Sequence, residues 1–200
     1  MGRRIGEWHA PSVTSRCLSG LINENLNVGL RSYCAVDMTI DLEKIGELLG
    51  GAKVLVWIPM RLGVDSLNDV YIGPIKALLG TVTLTSLTVR GRPNSALYFV
   101  GFENNDLLYL DPHYPRPAPR ENVSCADLGR VAFYSIDPCL VAGFVISDAD
   151  ILAKWTEEIV QIKTAYGDQL FSIKAPASEM EHATVVEIDS DMVEIDFEPI

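Results

Sequence analysis

The chain has 200 residues, a formal charge of −11 and a hydrophobic fraction of 48%. Its mean hydropathy is +0.17. That length and composition suit one globular domain with a sizeable core and exclude a disordered polymer. The acidic balance argues against nucleic acid as a partner, because phosphates demand Lys and Arg. In chain order, Pro11 precedes a predicted helix from Ser12 to about Asn23, with Val13, Cys17 and Leu21 at helical spacing on its core side. Residues 33–38 read as a strand, and Asp41–Leu49 as a short helix closed by Gly50-Gly51. Lys53–Ile58 is a continuous apolar run with β-branched residues, predicting a central strand buried on both faces. Ser66–Leu79 reads as a helix, with Ser66 as its cap, Asp69 three residues on and Gly80 at its end.

No element is predicted between Gly80 and Ala96. Ala96–Phe102 and Leu107–Leu110 flank the turn-forming Glu103-Asn104-Asn105-Asp106, which predicts a hairpin over 96–110. A Pro-rich loop over 112–119 cannot continue a ladder. Arg130–Tyr134 and Leu140–Ile146 read as strands. Ser147–Thr164 reads as an amphipathic helix with Ile151, Leu152, Trp155, Ile159 and Ile162 toward the core. The alternation predicts an α+β fold with a mainly antiparallel sheet and flanking helices.

The second hairpin strand runs into Asp111-Pro112-His113. Pro112 biases Asp111 toward an extended conformation, in which residues i and i+2 share a face. Asp111 and His113 are therefore expected side by side. A carboxylate beside an imidazole fixes its tautomer and stabilises the imidazolium, as a Cys-His or Ser-His nucleophile system requires. On spacing alone, such a triplet usually marks a solvated surface loop.

Five separated blocks, in order, carry a resemblance. They are Ile5-Gly6-Glu7-Trp8-His9-Ala10-Pro11-Ser12; Pro59-Met60-Arg61-Leu62-Gly63 with Asn68 and Val70-Tyr71; Gly91-Arg92-Pro93-Asn94-Ser95-Ala96 with Tyr98-Phe99; Tyr109-Leu110-Asp111-Pro112-His113; and Asp137-Pro138 with Gly143-Phe144. Over residues 3–160 the chain resembles the autophagins, cysteine proteases that process and deconjugate the ubiquitin-like modifiers of autophagy. Ala10 stands where that family usually has Gly. The resemblance implies a papain-like fold, His113 as general base and Asp111 as its orienting partner. It also implies Trp8 as the indole clamping the substrate's glycine-containing tail, and Pro93 in a loop over the cleft. Read without the family, Trp8 is a core aromatic and Pro93 a turn residue.

The family's nucleophile lies in a Gly-Trp-Gly-Cys segment that this sequence does not contain. Its four cysteines are Cys17, Cys34, Cys125 and Cys139. Cys17 is expected to be a buried small hydrophobe inside the first helix. Cys34 accompanies a predicted strand, Cys125 lies in a polar loop and Cys139 stands at a strand entrance. The chain thus looks like the C-terminal half of an autophagin, with an apolar face expected to lie uncovered. A catalytically inactive binder of the modifier is the alternative, and a substitute thiol such as Cys17 a third.

Residues 1–174 are expected to form the protease-like part and 175–200 an acidic, disordered tail. That tail holds eight acids and no Lys or Arg, leaving 19 acids against 16 bases elsewhere. Its end, Val193-Glu194-Ile195-Asp196-Phe197-Glu198-Pro199-Ile200, resembles a modifier-interaction motif. Phe197 and Ile200 would fill two pockets as the segment adds a strand to the partner's sheet. Met1–Pro11 has no apolar signal region, and no apolar run reaches the length of a membrane span. A cytoplasmic protein with reduced thiols is expected, with transient access to lipid-conjugated modifier on membranes. Three His and no Cys-x-x-Cys argue against a metal, and no cofactor is implied.

Overall fold

The computed structural model describes residues 9–25, 27, 29–92, 95–115 and 128–174. Its strands are β1 (Leu30–Cys34), β2 (Thr39–Ile40), β3 (Lys53–Arg61), β4 (Leu84–Arg92), β5 (Ser95–Glu103), β6 (Asp106–Leu110), β7 (Gly129–Ala132), β8 (Cys139–Ile146) and β9 (Ser172–Ile173). The helices are α1 (Pro11–Glu24), α2 (Leu42–Leu49), α3 (Ile72–Leu79) and α4 (Ala149–Tyr166). Seven strands form one sheet in the order β1-β3-β8-β4-β5-β6-β7, and β2 pairs with β9 apart from it. Only β1 and β3 run parallel within the large sheet; every other neighbouring pair is antiparallel. The expected α+β, mainly antiparallel class is what the chain adopts.

Alternation decides which helix covers which face. Ser32 and Tyr33 are adjacent on β1 and so point to opposite sides. Ser32 exchanges backbone bonds with the Asn23 side chain of α1 at 2.8 Å in each direction. The Tyr33 hydroxyl donates to the Thr39 carbonyl and accepts from the Asp41 N–H at the head of α2. So α1 lies on one face, and α2 packs on the other, where α3 and α4 join it over the core. Val54, Val56, Ile58 and Met60 of β3 are buried with Ile45, Ile75, Leu78, Ile159 and Ile162. Trp155 of α4 packs on Phe144 of β8 at 5.4 Å between ring centres.

Several elements depart from expectation. β3 is buried in alternation, with the residues between Val54 and Met60 half-buried, so it has one fully closed face where two were predicted. Among the described residues α1 is the helix on that second side, and the β3 residues there stay partly open. The helix predicted from Ser66 begins later: Asn68 caps a short 3-10 turn over Asp69–Tyr71, and α3 follows at Ile72. The predicted strand over 33–38 ends at Cys34, because Asp37 and Met38 take positive φ angles of 49° and 59°. Arg130–Tyr134 is strand only to Ala132 and then a 3-10 turn. β4 was not predicted at all. A bulge between Leu84 and Ser86 puts two core-packed leucines three residues apart, which breaks the period-2 signal. Its start is pinned by Glu158 of α4, which accepts from the Val82 N–H at 3.0 Å and from the Thr83 hydroxyl.

The inner side of α1 is also corrected. Ser15 and Ser19 are buried, whereas Cys17 is exposed and Leu21 is 62% exposed. Small serines let the helix approach β1 closely, and the Asn23–Ser32 exchange fixes its rotation. Periodicity registers only the apolar residues, so it selected the outward side. Leu18 and Leu21 stand exposed there.

The head of α2 ties two distant segments together. Asp41 caps it by accepting from the Lys44 N–H at 3.1 Å and pairs with Lys174 Nζ at 2.8 Å. The Lys174 hydrogen bond, and then the Lys44 N–H, hold the Asp41 carboxyl below its ordinary value. A depressed carboxyl stabilises the fold above the unfolded value, and that contribution disappears as pH falls through the folded value. Asp41→Ala should therefore cost about 1 kcal/mol near neutral pH and lower the thermal midpoint by about 2–4 °C. The gap between variant and parent should close below about pH 4. Thermal unfolding followed by circular dichroism at several pH values checks this.

Candidate active site at one end of the sheet

Strand register brings the sequence blocks to one rim. Arg61 at the end of β3 pairs with Cys139 at the start of β8, and Val89 near the end of β4 pairs with Leu140. Arg92 pairs with Ser95 at the start of β5, and Tyr98 pairs with Leu110, the last residue of β6. Asp111 leaves the sheet immediately beyond. Residues from four separated blocks therefore converge at the same end although they are far apart in sequence.

Hairpin β5–β6 delivers the pair. Glu103 opposes Asp106 across Asn104-Asn105, and Asn104 takes a left-handed φ of 54°, a conformation Asn tolerates better than most residues. Pro112 then stops the strand. The Asp111 Oδ1 atom accepts from the His113 backbone N–H at 2.9 Å and lies 2.7 Å from His113 Nδ1. Asp111 and His113 do sit side by side, but through a tight side-chain-to-backbone turn where an extended segment was expected. A carboxylate only accepts, so the proton of this bond sits on Nδ1 and Nε2 is left as the basic atom. The His113 side chain is 46% exposed and that of Asp111 21%, so the imidazole is open to solvent while the carboxylate is half-buried.

Beside this rim, a cavity of about 370 Å³ is lined by Pro11, Ser12, Arg16, Met60, Arg61 and Cys139 among others. It opens at the first turn of α1, three residues after Trp8 in sequence. Trp8, Pro93, Cys125, Phe197 and Ile200 lie outside the described residues.

Three thiols are described. Cys17 is exposed on the outer side of α1. Cys34 is pushed up by burial, and its thiol donates to the Ser15 hydroxyl at 3.7 Å. That partial burial disfavours its thiolate, the form a nucleophile needs. Cys139 opens β8, three strand spacings from β6, which is roughly 14 Å at the usual inter-strand distance. Among the described residues, no group of three or more His, Cys, Asp or Glu is placed to hold a metal ion. Nor is any helix there long and apolar enough to cross a membrane.

Fold and rim now meet the comparisons with known proteins. The model of the Peptidase C54 catalytic domain matches residues 1–158. "Cysteine protease 1" of Neurospora crassa is 33% identical over 183 residues, covering 81% of this chain and 35% of that protein. "Probable cysteine protease atg4" of Schizosaccharomyces pombe is 33% identical over 171 residues, covering 78% of this chain and 52% of that protein. "Cysteine protease ATG4C" of Xenopus laevis is 30% identical over 176 residues, covering 80% and 39%. The scaffold is that of the papain-like cysteine proteases. Within that class the chain belongs to the Peptidase C54 family, the autophagins. It spans between about a third and a half of the length of these relatives.

The turn and the imidazole bond share one acceptor atom, so substitutions should separate them. Asp111→Asn should preserve the His113 backbone bond yet remove the carboxylate that holds the proton on Nδ1. Asp111→Ala should lose both. In ¹⁵N NMR of the ring nitrogens, Asp111→Asn should weaken the preference for the Nδ1–H tautomer, since an amide oxygen is the poorer acceptor, and Asp111→Ala should abolish it. Only Asp111→Ala should also move the His113 backbone amide strongly.

Proposed function

We propose that this chain is the base-bearing part of a thiol protease that cleaves after a C-terminal glycine of a ubiquitin-like autophagy modifier. The observation that carries the reading is the Asp111–His113 pair, held at 2.7 Å and locked by the backbone bond to the same oxygen. The nucleophilic Cys comes from polypeptide outside this sequence. His113 Nε2 takes the thiol proton, and the thiolate attacks the glycine carbonyl carbon. Asp111 stabilises the imidazolium that forms, which then protonates the departing amine. Water, deprotonated in turn by Nε2, hydrolyses the thioester and restores the thiol.

Family resemblance supports the remaining assignments. Trp8 and Pro93 form a narrow aromatic and proline gate that passes a glycine backbone and rejects larger side chains. Residues 1–174 form the protease part, and the acidic tail 175–200 captures the modifier through Phe197 and Ile200. Both processing of the precursor and release of lipid-conjugated modifier at membranes follow from the same bond cleavage, carried out in the cytoplasm.

A second reading, a catalytically inactive binder of the modifier, is favoured by the thiols. Cys34 is half-buried with its thiol pushed up, Cys17 faces outward from α1, and Cys139 stands three strands from β6.

With the thiol-bearing part co-expressed, cleavage of a modifier precursor should be detectable, and His113→Ala should reduce turnover by about 10⁴-fold or more. Modifier binding should survive His113→Ala and fall with Phe197→Ala, as read by calorimetry. Retained turnover in His113→Ala removes that residue from the mechanism. No turnover with any thiol-bearing partner, alongside binding that depends on Phe197, makes the binder the correct reading.

A further inference from the structure

Gly129 opens β7 directly opposite Tyr109 of β6, and Tyr109 is also paired on its other side with Phe99 of β5. A Cβ built on Gly129 would fall 2.5 Å from Cε2 and 2.7 Å from Cε1 of the Tyr109 ring, and closer still to Cζ. Real Cβ atoms do not approach that closely, so the ring occupies the space a side chain at 129 would need. The ring's other constraint is Phe99, which it meets edge-on at 6.2 Å between centres and 76° between planes. Phe99 is 2% exposed, so it is not free to yield.

Tyr109 is the last residue of β6 paired on both sides. Among the described residues Leu110 pairs with β5 alone, and Asp111 follows outside the ladder. The Tyr109 ring thus sits two residues before Asp111, next to the point where the chain leaves the sheet.

We propose that Gly129 is a positioning residue for the Asp111–His113 pair: its missing side chain admits the Tyr109 ring against the β7 backbone without displacing the end of β6. A side chain at 129 would wedge the ring outward, shift Asp111 and open the bond to Nδ1. Its consequence for turnover rests on the proton-transfer reading given above. The bond itself is measured in the chain as it stands, without substrate or thiol.

The experiment is ¹H–¹⁵N NMR of the full chain with labelled histidine, read at the His113 ring and accompanied by thermal unfolding. Gly129→Ala should lose the protected Nδ1 proton signal. Adding Tyr109→Leu, which removes the far end of the ring, should restore it in the double variant. A folded Gly129→Ala protein with an unchanged Nδ1 signal overturns the proposal, because the ring has then moved without pulling the strand. If Gly129→Ala does not fold, the double variant decides: a folded protein with the signal present supports the proposal, and any other result overturns it. Loss of turnover in His113→Ala bears only on the mechanism, so the two readings can fail separately.

Discussion

Strand β8 lies between β3 and β4, paired with β3 from Val54↔Ile146 to Arg61↔Cys139 and with β4 from Leu84↔Phe144 to Val89↔Leu140. Leu140, Val141, Ala142, Phe144 and Ile146 are all buried. This strand is the constraint on which the site depends. Without it, the β1–β3 pair and the β4–β7 meander would be two separate sheets, and the end of β3 would have no fixed relation to the end of β6. A segment from late in the sequence thus holds two earlier ones in register. Gly143 permits it locally: a Cβ there would come 2.8 Å from the Ser86 hydroxyl and 3.4 Å from the Trp57 ring.

Around that strand the two faces are closed by different physics. The face under α2, α3 and α4 is an apolar interface built on Ile45, Ile75, Trp155, Ile159 and Ile162. The face under α1 is held through polar contacts: Asn23 satisfies both backbone groups of Ser32, and the Ser32 hydroxyl bridges the Leu55 carbonyl and the Trp57 indole N–H at 3.1 Å each. Ser32 is 2% exposed, so leaving those groups unpaired would carry the full desolvation cost of each. The result sets the rotation of α1 and the place of its first turn, where the cavity opens.

Much of this was legible in the sequence, and particular residues show why. The hairpin was readable because Asn104-Asn105 offers turn chemistry between two apolar runs. The start of α4 was readable because Asp148 accepts from the Ile151 N–H at 2.9 Å, a local capping contact encoded within four residues. The closeness of Asp111 and His113 was readable too, since two residues span it. β4 was hidden by its bulge, and α1 was turned inside out because the serines it buries carry no apolar signal. The pairing of β1 with β3, the docking of Asn23 and the seat of Tyr109 on Gly129 all involve partners that periodicity does not connect.

The sequence alone determined the family, the class of fold and the closeness of Asp111 and His113. Each is written in contiguous blocks whose residues interact over a few positions. Only the tertiary structure decided that those blocks share one rim, that the Asp111–His113 contact is a tight turn, and that Cys34 is half-buried. Register across a sheet and rotation of a helix are fixed by contacts between segments far apart in the chain. Such contacts leave no local periodicity to read.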